Sequence, residues 1–244
     1  MAVTALALAG PCLAAQSTAV GAQGNFQANA LATRLGPIAA AEGLASGKYD
    51  LTRTVAKASE TTTIAPQALR PTAFVSAANL TSHVSASGFG IDSRSSHADA
   101  AVGEEAVRLF TAPPPGSGPP DVLYLAVTAR EAIASANFSQ TVPMQNFANG
   151  SAQVGSLSVS GRLVGAAMIS YSGQAPANAV VHDSPTVTIT VNRQLTSGVV
   201  TCAQRCTFAP SKIDVAAVDV ELHEAAIGGA KVSGDILISD TTAQ

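Results

Sequence analysis

The last third of the chain alternates, and that pattern constrains the fold more than any other. Val187, Ile189 and Val191 are separated by Thr188 and Thr190; Val218, Val220 and Leu222 are separated by Asp219 and Glu221. Ile213 and Val215 precede them with the same spacing, and Ile236 and Ile238 repeat it further on. Successive side chains of a β-strand point to opposite faces, so a period of two gives each segment one apolar face and one polar face. Gly228-Gly229 supplies a turn between the last two runs. Apolar-in, polar-out strands joined by short turns predict an antiparallel β-sandwich or barrel-like fold, mainly β.

The preceding residues fit the same class less sharply. Leu157, Val159 and Leu163 share one spacing, and Asp121 to Val127 reads as an apolar strand. Residues 49–64 carry a Thr61-Thr62-Thr63 run, and residues 72–91 offer Phe74, Val75, Leu80, Val84 and Phe89 as core candidates. One helix is predicted, at 96–110. Ser96-His97-Ala98-Asp99 resembles a capping box with Asp in place of Glu, and Val102, Ala106, Leu109 and Phe110 then fall on one helical face. Pro113-Pro114-Pro115-Gly116-Ser117-Gly118-Pro119-Pro120 can hold neither helix nor ladder hydrogen bonds. It reads as a linker or a long exposed loop, the loop being preferred because the first half has few strong strands with which to close its own core.

The N-terminal end predicts export. Leu6 to Ala15 is a short apolar run of small residues ending in Leu13-Ala14-Ala15, which has the form of a signal-peptidase site, although no Lys or Arg precedes Arg34. Residues 1–15 are therefore expected to be a signal peptide and 16–244 a single secreted β-rich domain. Cys12 does not complete a lipobox, because Pro11 stands directly before it. A Gly/Asn-rich arm is expected at 16–47. Within it Gln23 to Ala30 resembles, in its Gln, Asn and Gly usage, amyloid-forming surface-fibre repeats; Asn146 to Gly150 is a related phrase, but no fixed period joins the two. A sharper expectation is that Gln16 to Gly36 serves as a donor strand for a neighbour's sheet.

Without Cys12 the cysteines reduce to Cys202 and Cys206. In an oxidising compartment they should pair. Two residues four apart on a straight strand are about 13 Å apart at about 3.3 Å per residue. A disulfide needs Cα atoms within about 7 Å. The segment must therefore be a tight loop or hairpin end. Cys-x-x-x-Cys spacing without a second Cys/His pair gives little support to zinc or a redox centre.

Composition narrows the function classes. Charged residues are 12% of the chain, about half of the usual ~25%, and the formal net charge is −3. That leaves no basic footprint for nucleic acid. No Gly-x-Ser-x-Gly elbow or phosphate-binding loop occurs. His223-Glu224 begins like a zincin motif, but Ile227 occupies the place of the second histidine. His97 and Asp99 read as a helix cap, and His182-Asp183 with Ser184-Pro185 as a turn. Asp214, Asp219 and Glu221 could approach as paired carboxylates but fit the solvent face of strands better. With no Trp and three Tyr, aromatic platforms for sugars are scarce. No catalytic residue, metal or cofactor is implied. The expectation is an exported, non-catalytic structural or interaction protein, secreted, periplasmic or at the cell surface, with protein partners or self-association, no nucleic acid and no membrane span after signal removal. A binding module for a small ligand or glycan is the alternative, and a hydrolase assembled across strands the least favoured.

Overall fold

The computed structural model describes residues 16–28, 45–48, 55–70, 73–89, 93–111, 122–141, 145–202, 206–227 and 230–243. Residues 1–15, where a signal peptide is expected, and the proline-rich run 113–120 lie outside them. Among the described residues two antiparallel sheets of six strands each carry the fold. In chain order the strands are β1 (Gln16–Ala28), β2 (Ala45–Lys48), β3 (Val55–Arg70), β4 (Ala73–Phe89), β5 (Ser93–Thr111), β6 (Val122–Thr141), β7 (Gln145–Gly161), β8 (Gly165–Gln174), β9 (Ala179–Asp183), β10 (Val187–Cys202), β11 (Cys206–Ile227) and β12 (Ala230–Ala243).

Sheet order follows from short connections. One sheet is the meander β3-β4-β5-β6-β7-β8, and the other runs β2-β1-β12-β11-β10-β9. β1 pairs with β12, so opposite ends of the described chain lie side by side inside the second sheet, whose edges are β2 and β9. The sheets stack face to face, with β11 over β6 and β7, β12 over β5 and β6, and β10 over β7. Between them lies one apolar core, in which Leu125, Val127, Val154, Leu157, Ile189, Val215, Val220 and Ile238 are almost wholly buried. Every alternation read from Val187 onward faces this core: Val187, Ile189, Val191, Ile213, Val215, Val218, Val220, Leu222, Ile236 and Ile238 are all buried.

The helix expected at 96–110 is not formed; these residues lie in β5, an interior strand paired to β4 and β6. Its buried residues are Ala98, Ala100 and Val102, then Val107 and Leu109. The parity of the inward face changes between Val102 and Val107. A period of two broken by one such change imitates a period near 3.6, which is why the segment reads as helical.

The change is not confined to β5. In β6 the inward set passes from Leu125, Val127 and Ala129 to Ala132, Ala134 and Ala136, and in β7 from Val154 to Leu157. Register is kept on both sides of the break: Val102 pairs with Ala132 and Glu104 with Arg130, while Ala132 pairs with Val154 and Arg130 with Ser156. Gly103, Glu131 and Gly155 therefore form a row across the sheet. The other sheet has its own row, Asn192, Ala217 and Ser239, bracketed by Val191↔Val218↔Ile238 and Arg193↔Ala216↔Asp240. Glu131, Asn192 and Ser239 take φ of 50°, 51° and 53°. A left-handed residue turns the next side chain onto the face its predecessor would have used, so alternation resumes in the opposite phase. Neighbouring strands must change at the same level, or an apolar side chain would stand in a polar file of its neighbour.

Candidate functional site

β10 and β11 extend beyond the sandwich. From Leu195 to Cys202 every residue of β10 is exposed, on both faces of the strand, and so are Cys206, Thr207, Phe208 and Ser211 of β11. The two strands remain paired to the end, through Val199↔Ala209, Val200↔Phe208 and Cys202↔Cys206. Among the described residues no third strand continues alongside them. Pairing with β9 stops at Val191↔Ala179, and pairing with β12 stops at Ile213↔Ala243. The result is a two-stranded ribbon in which both faces meet solvent.

An isolated hairpin is marginal in water, so something local must hold this one. Its tip is closed by Cys202 and Cys206, which sit at disulfide distance with Cα atoms 4.1 Å apart. The cysteine spacing is thus accommodated by a hairpin end. Its base is tied to the sandwich by side-chain amides. Gln194 Nε2 donates to the Gly150 carbonyl at 2.9 Å and Asn146 Nδ2 to the Pro210 carbonyl at 2.7 Å, both bonds crossing from one sheet to the other. The Asn178 side chain mimics a strand neighbour: its Nδ2 donates to Gln194 O at 3.1 Å and its Oδ1 accepts from Gln194 N at 2.7 Å. Midway, the register shifts between Ser197 and Gly198. A Cβ at Gly198 would strike the Ala209 carbonyl oxygen and come 2.7 Å from Pro210 Cα, so the bulge requires glycine there.

The ribbon is apolar where a solvent-facing hairpin is normally polar. Val199 is 63% exposed, Val200 61%, Phe208 52% and Leu195 49%. Val200 and Phe208 are direct cross-strand partners, a β-branched and aromatic pair. The two edges differ in chemistry. On β11, Pro210 offers no N–H and Lys212 adds charge, both of which deter strand addition. On β10, the segment Leu195-Thr196-Ser197-Gly198-Val199-Val200-Thr201-Cys202 holds no charge and no proline.

The groups named for possible chemistry form separate clusters. His97 lies on β5 rather than at a helix cap. Its Nε2 is 2.6 Å from Asp99 Oδ2 and its Nδ1 2.6 Å from Asn137 Oδ1, so oxygen atoms occupy both ring nitrogens. His182 is half-buried with Nε2 unpartnered, while its neighbour Asp183 accepts from Thr188 Oγ1 at 3.1 Å. Thr188 Oγ1 also lies 3.0 Å from His223 Nε2. That order does not activate the hydroxyl: the carboxylate sits on the threonine and not on the far ring nitrogen, where it would orient the imidazole as a base. Ser184 Oγ donates to Val187 O at 3.0 Å, so the serine makes the local bond rather than the Asp183 carboxylate that an Asx turn would use.

The carboxylates expected on a solvent face prove to be more complex. Glu221 is half exposed and Asp214 faces Lys212 at 2.8 Å, but Asp219 is only 2% exposed. Arg193 Nε approaches Asp219 Oδ2 at 2.8 Å, and Oδ1 has no partner. Burial pushes Asp219 up to about 7 against the opposing pull of Arg193. Asp240, on the adjacent strand, is also raised to about 7, first by burial and then by Asp214. Strand alternation marks these positions as facing away from the core, but it carries no information on what covers that side. Among the described residues no group of three His, Cys, Asp or Glu side chains has the arrangement of a metal site, and no helix is long and apolar enough to cross a membrane.

No protein-family profile, curated protein or solved structure matches this chain.

Proposed function

We propose that the protein is an exported, non-catalytic interaction component of a cell surface or extracellular assembly, with the β10–β11 ribbon as its contact element. One observation carries the reading: a ribbon tied at its base and closed at its tip presents Val199, Val200 and Phe208 to solvent. Exposed apolar side chains cost solubility, and their concentration on a projecting, pinned element supports a contact role. The apolar run ending at Ala15 and the oxidised cysteine pair support export.

The test replaces Val199, Val200 and Phe208 together by Ser in cells that export the chain, and follows its distribution between cell surface or matrix and free medium. Retention of the wild type and release of the triple variant, at equal melting temperature, is the expected result. Equal distribution of the two proteins overturns the reading.

A further inference from the structure

Strand edges are where antiparallel sheets recruit other chains, and this fold guards most of its edges. β9 has five residues and ends in Asp183; β2 has four and ends in Lys48; the β3 segment carries Lys57, Glu60 and Arg70; β8 is uncharged over its ten residues, but two register shifts interrupt its pairing with β7, an irregularity that also deters strand addition. Short length and charge both oppose strand addition. The distal edge of β10 has neither protection, and it continues the edge of a sheet already built. Its backbone groups fit one kind of occupant, an extended strand.

The chemistry of that edge also favours a particular strand. A two-fold axis through 195–202 sets the segment against its own reverse. With the axis midway between Gly198 and Val199 the facing pairs are Leu195 and Cys202, Thr196 and Thr201, Ser197 and Val200, and Gly198 and Val199, so no charged side chain meets another. No charge is buried and no like charges meet, and β-branched pairs of the kind that stabilise antiparallel ladders result. A foreign strand with ordinary charge content would find no counter-charge there. The chain's small net charge of −3 offers little long-range repulsion to a second copy.

We propose that a second copy of this chain adds antiparallel to the free β10 edge at 195–202, joining two ribbons into one four-stranded sheet across a two-fold axis. The proposal names a partner for the contact element and rests on the interaction reading above. A closed two-fold contact uses the same edge on both copies, so assembly stops at the dimer.

Light scattering after size exclusion of the full chain, across a wide range of concentration, is the test, with Val199→Lys and Val200→Lys as edge-charged variants. Both positions are more than half exposed, so neither change disturbs the core. Hydrogen exchange of the amides at 195–202 gives a second readout. Concentration-dependent doubling of mass, loss of the dimer in both variants at unchanged melting temperature, and slower exchange at 195–202 in the dimer are expected. A wild type that stays monomeric, a dimer indifferent to the lysines, or a mass that keeps growing each overturns the proposal. A monomer whose triple serine variant is still released from the surface overturns the dimer but leaves the interaction reading standing. A ribbon-dependent dimer with unchanged retention does the reverse.

Discussion

Ser239 on β12 donates its hydroxyl to the backbone carbonyl of Ala132 on β6, 2.7 Å away in the opposite sheet, and both residues are fully buried. Each stands at the level where its own sheet inverts the phase of its side chains. Glu131 precedes Ala132 in the left-handed region, and Ser239 occupies that region itself. A phase inversion breaks regular pairing and leaves backbone polar groups in an apolar interior, where an unmet carbonyl is costly. The Ser239 hydroxyl meets one of them across the core.

Ser239→Ala removes that donor, leaves the Ala132 carbonyl buried, and retains a β-carbon at φ 53°. A loss of about 1–3 kcal/mol is expected in urea unfolding, the cost of an unsatisfied buried acceptor. An unchanged midpoint would show that the two rows do not depend on this bond.

Gly155 tests the packing of the row in the other sheet. A Cβ there would lie 2.7 Å from Glu131 Cβ and 3.1 Å from the Arg130 carbonyl oxygen. Gly155→Ala is expected to destabilise by about 1–3 kcal/mol. Glu131→Gly removes the opposing Cβ and suits φ 50°. The double variant should therefore recover part of the loss, giving a coupling of at least about 0.5 kcal/mol in a double-mutant cycle. Strict additivity sinks this account of the row.

The raised carboxyls set a direction for pH dependence. Asp219 and Asp240 ionise near 3.8 in an unfolded chain and at about 7 in the fold. Between those values the folded state holds protons that the unfolded state has released. Stability therefore falls as pH rises from about 4 to about 7 and is level above. Arg193 and Lys212 oppose the shift of Asp240, and Asp214 and Asp235 add to it. Asp240→Asn should reduce the drop in melting temperature between about pH 5 and pH 8 and add at least about 1 kcal/mol of stability at the higher pH. Melting curves of the two proteins with the same slope against pH would refute the assignment.

Cys202→Ser with Cys206→Ser separates the ribbon from the sandwich. Closing so short a loop contributes about 2 kcal/mol in the chain-entropy model. Because residues 195–202 project beyond the core, that contribution should appear locally. Amide exchange should accelerate across 196–201 and 207–211, while the amides of Ile189 and Val220 in the buried sheet keep their protection. Uniform acceleration throughout β10 and β11 would mean that the ribbon and sandwich open as one unit.

The sequence by itself determined that the chain builds antiparallel strands, because residues 187–191, 213–215 and 218–222 obey a period of two that only a one-sided strand needs. It also required a tight loop or hairpin end between Cys202 and Cys206 if the two pair, because four residues of extended chain cannot bring two cysteines within bonding reach, and the structure decided for the hairpin. Tertiary structure decided the rest. Whether Ala98 to Leu109 is helix or strand depended on β4 and β6 lying on either side, since Ala-rich segments suit both and the phase inversion at Gly103 is set by Glu131 and Gly155 in neighbouring strands. Whether Asp219 is solvated or buried depended on its surroundings in the folded chain, not on its place in an alternating run. The same holds for the contact element. Val199, Val200 and Phe208 have the composition of a buried strand, and they are exposed because β9 and β12 end before reaching them. Alternation is a local property that each strand carries in its own residues; exposure is a property of where neighbouring strands stop, which no single segment encodes.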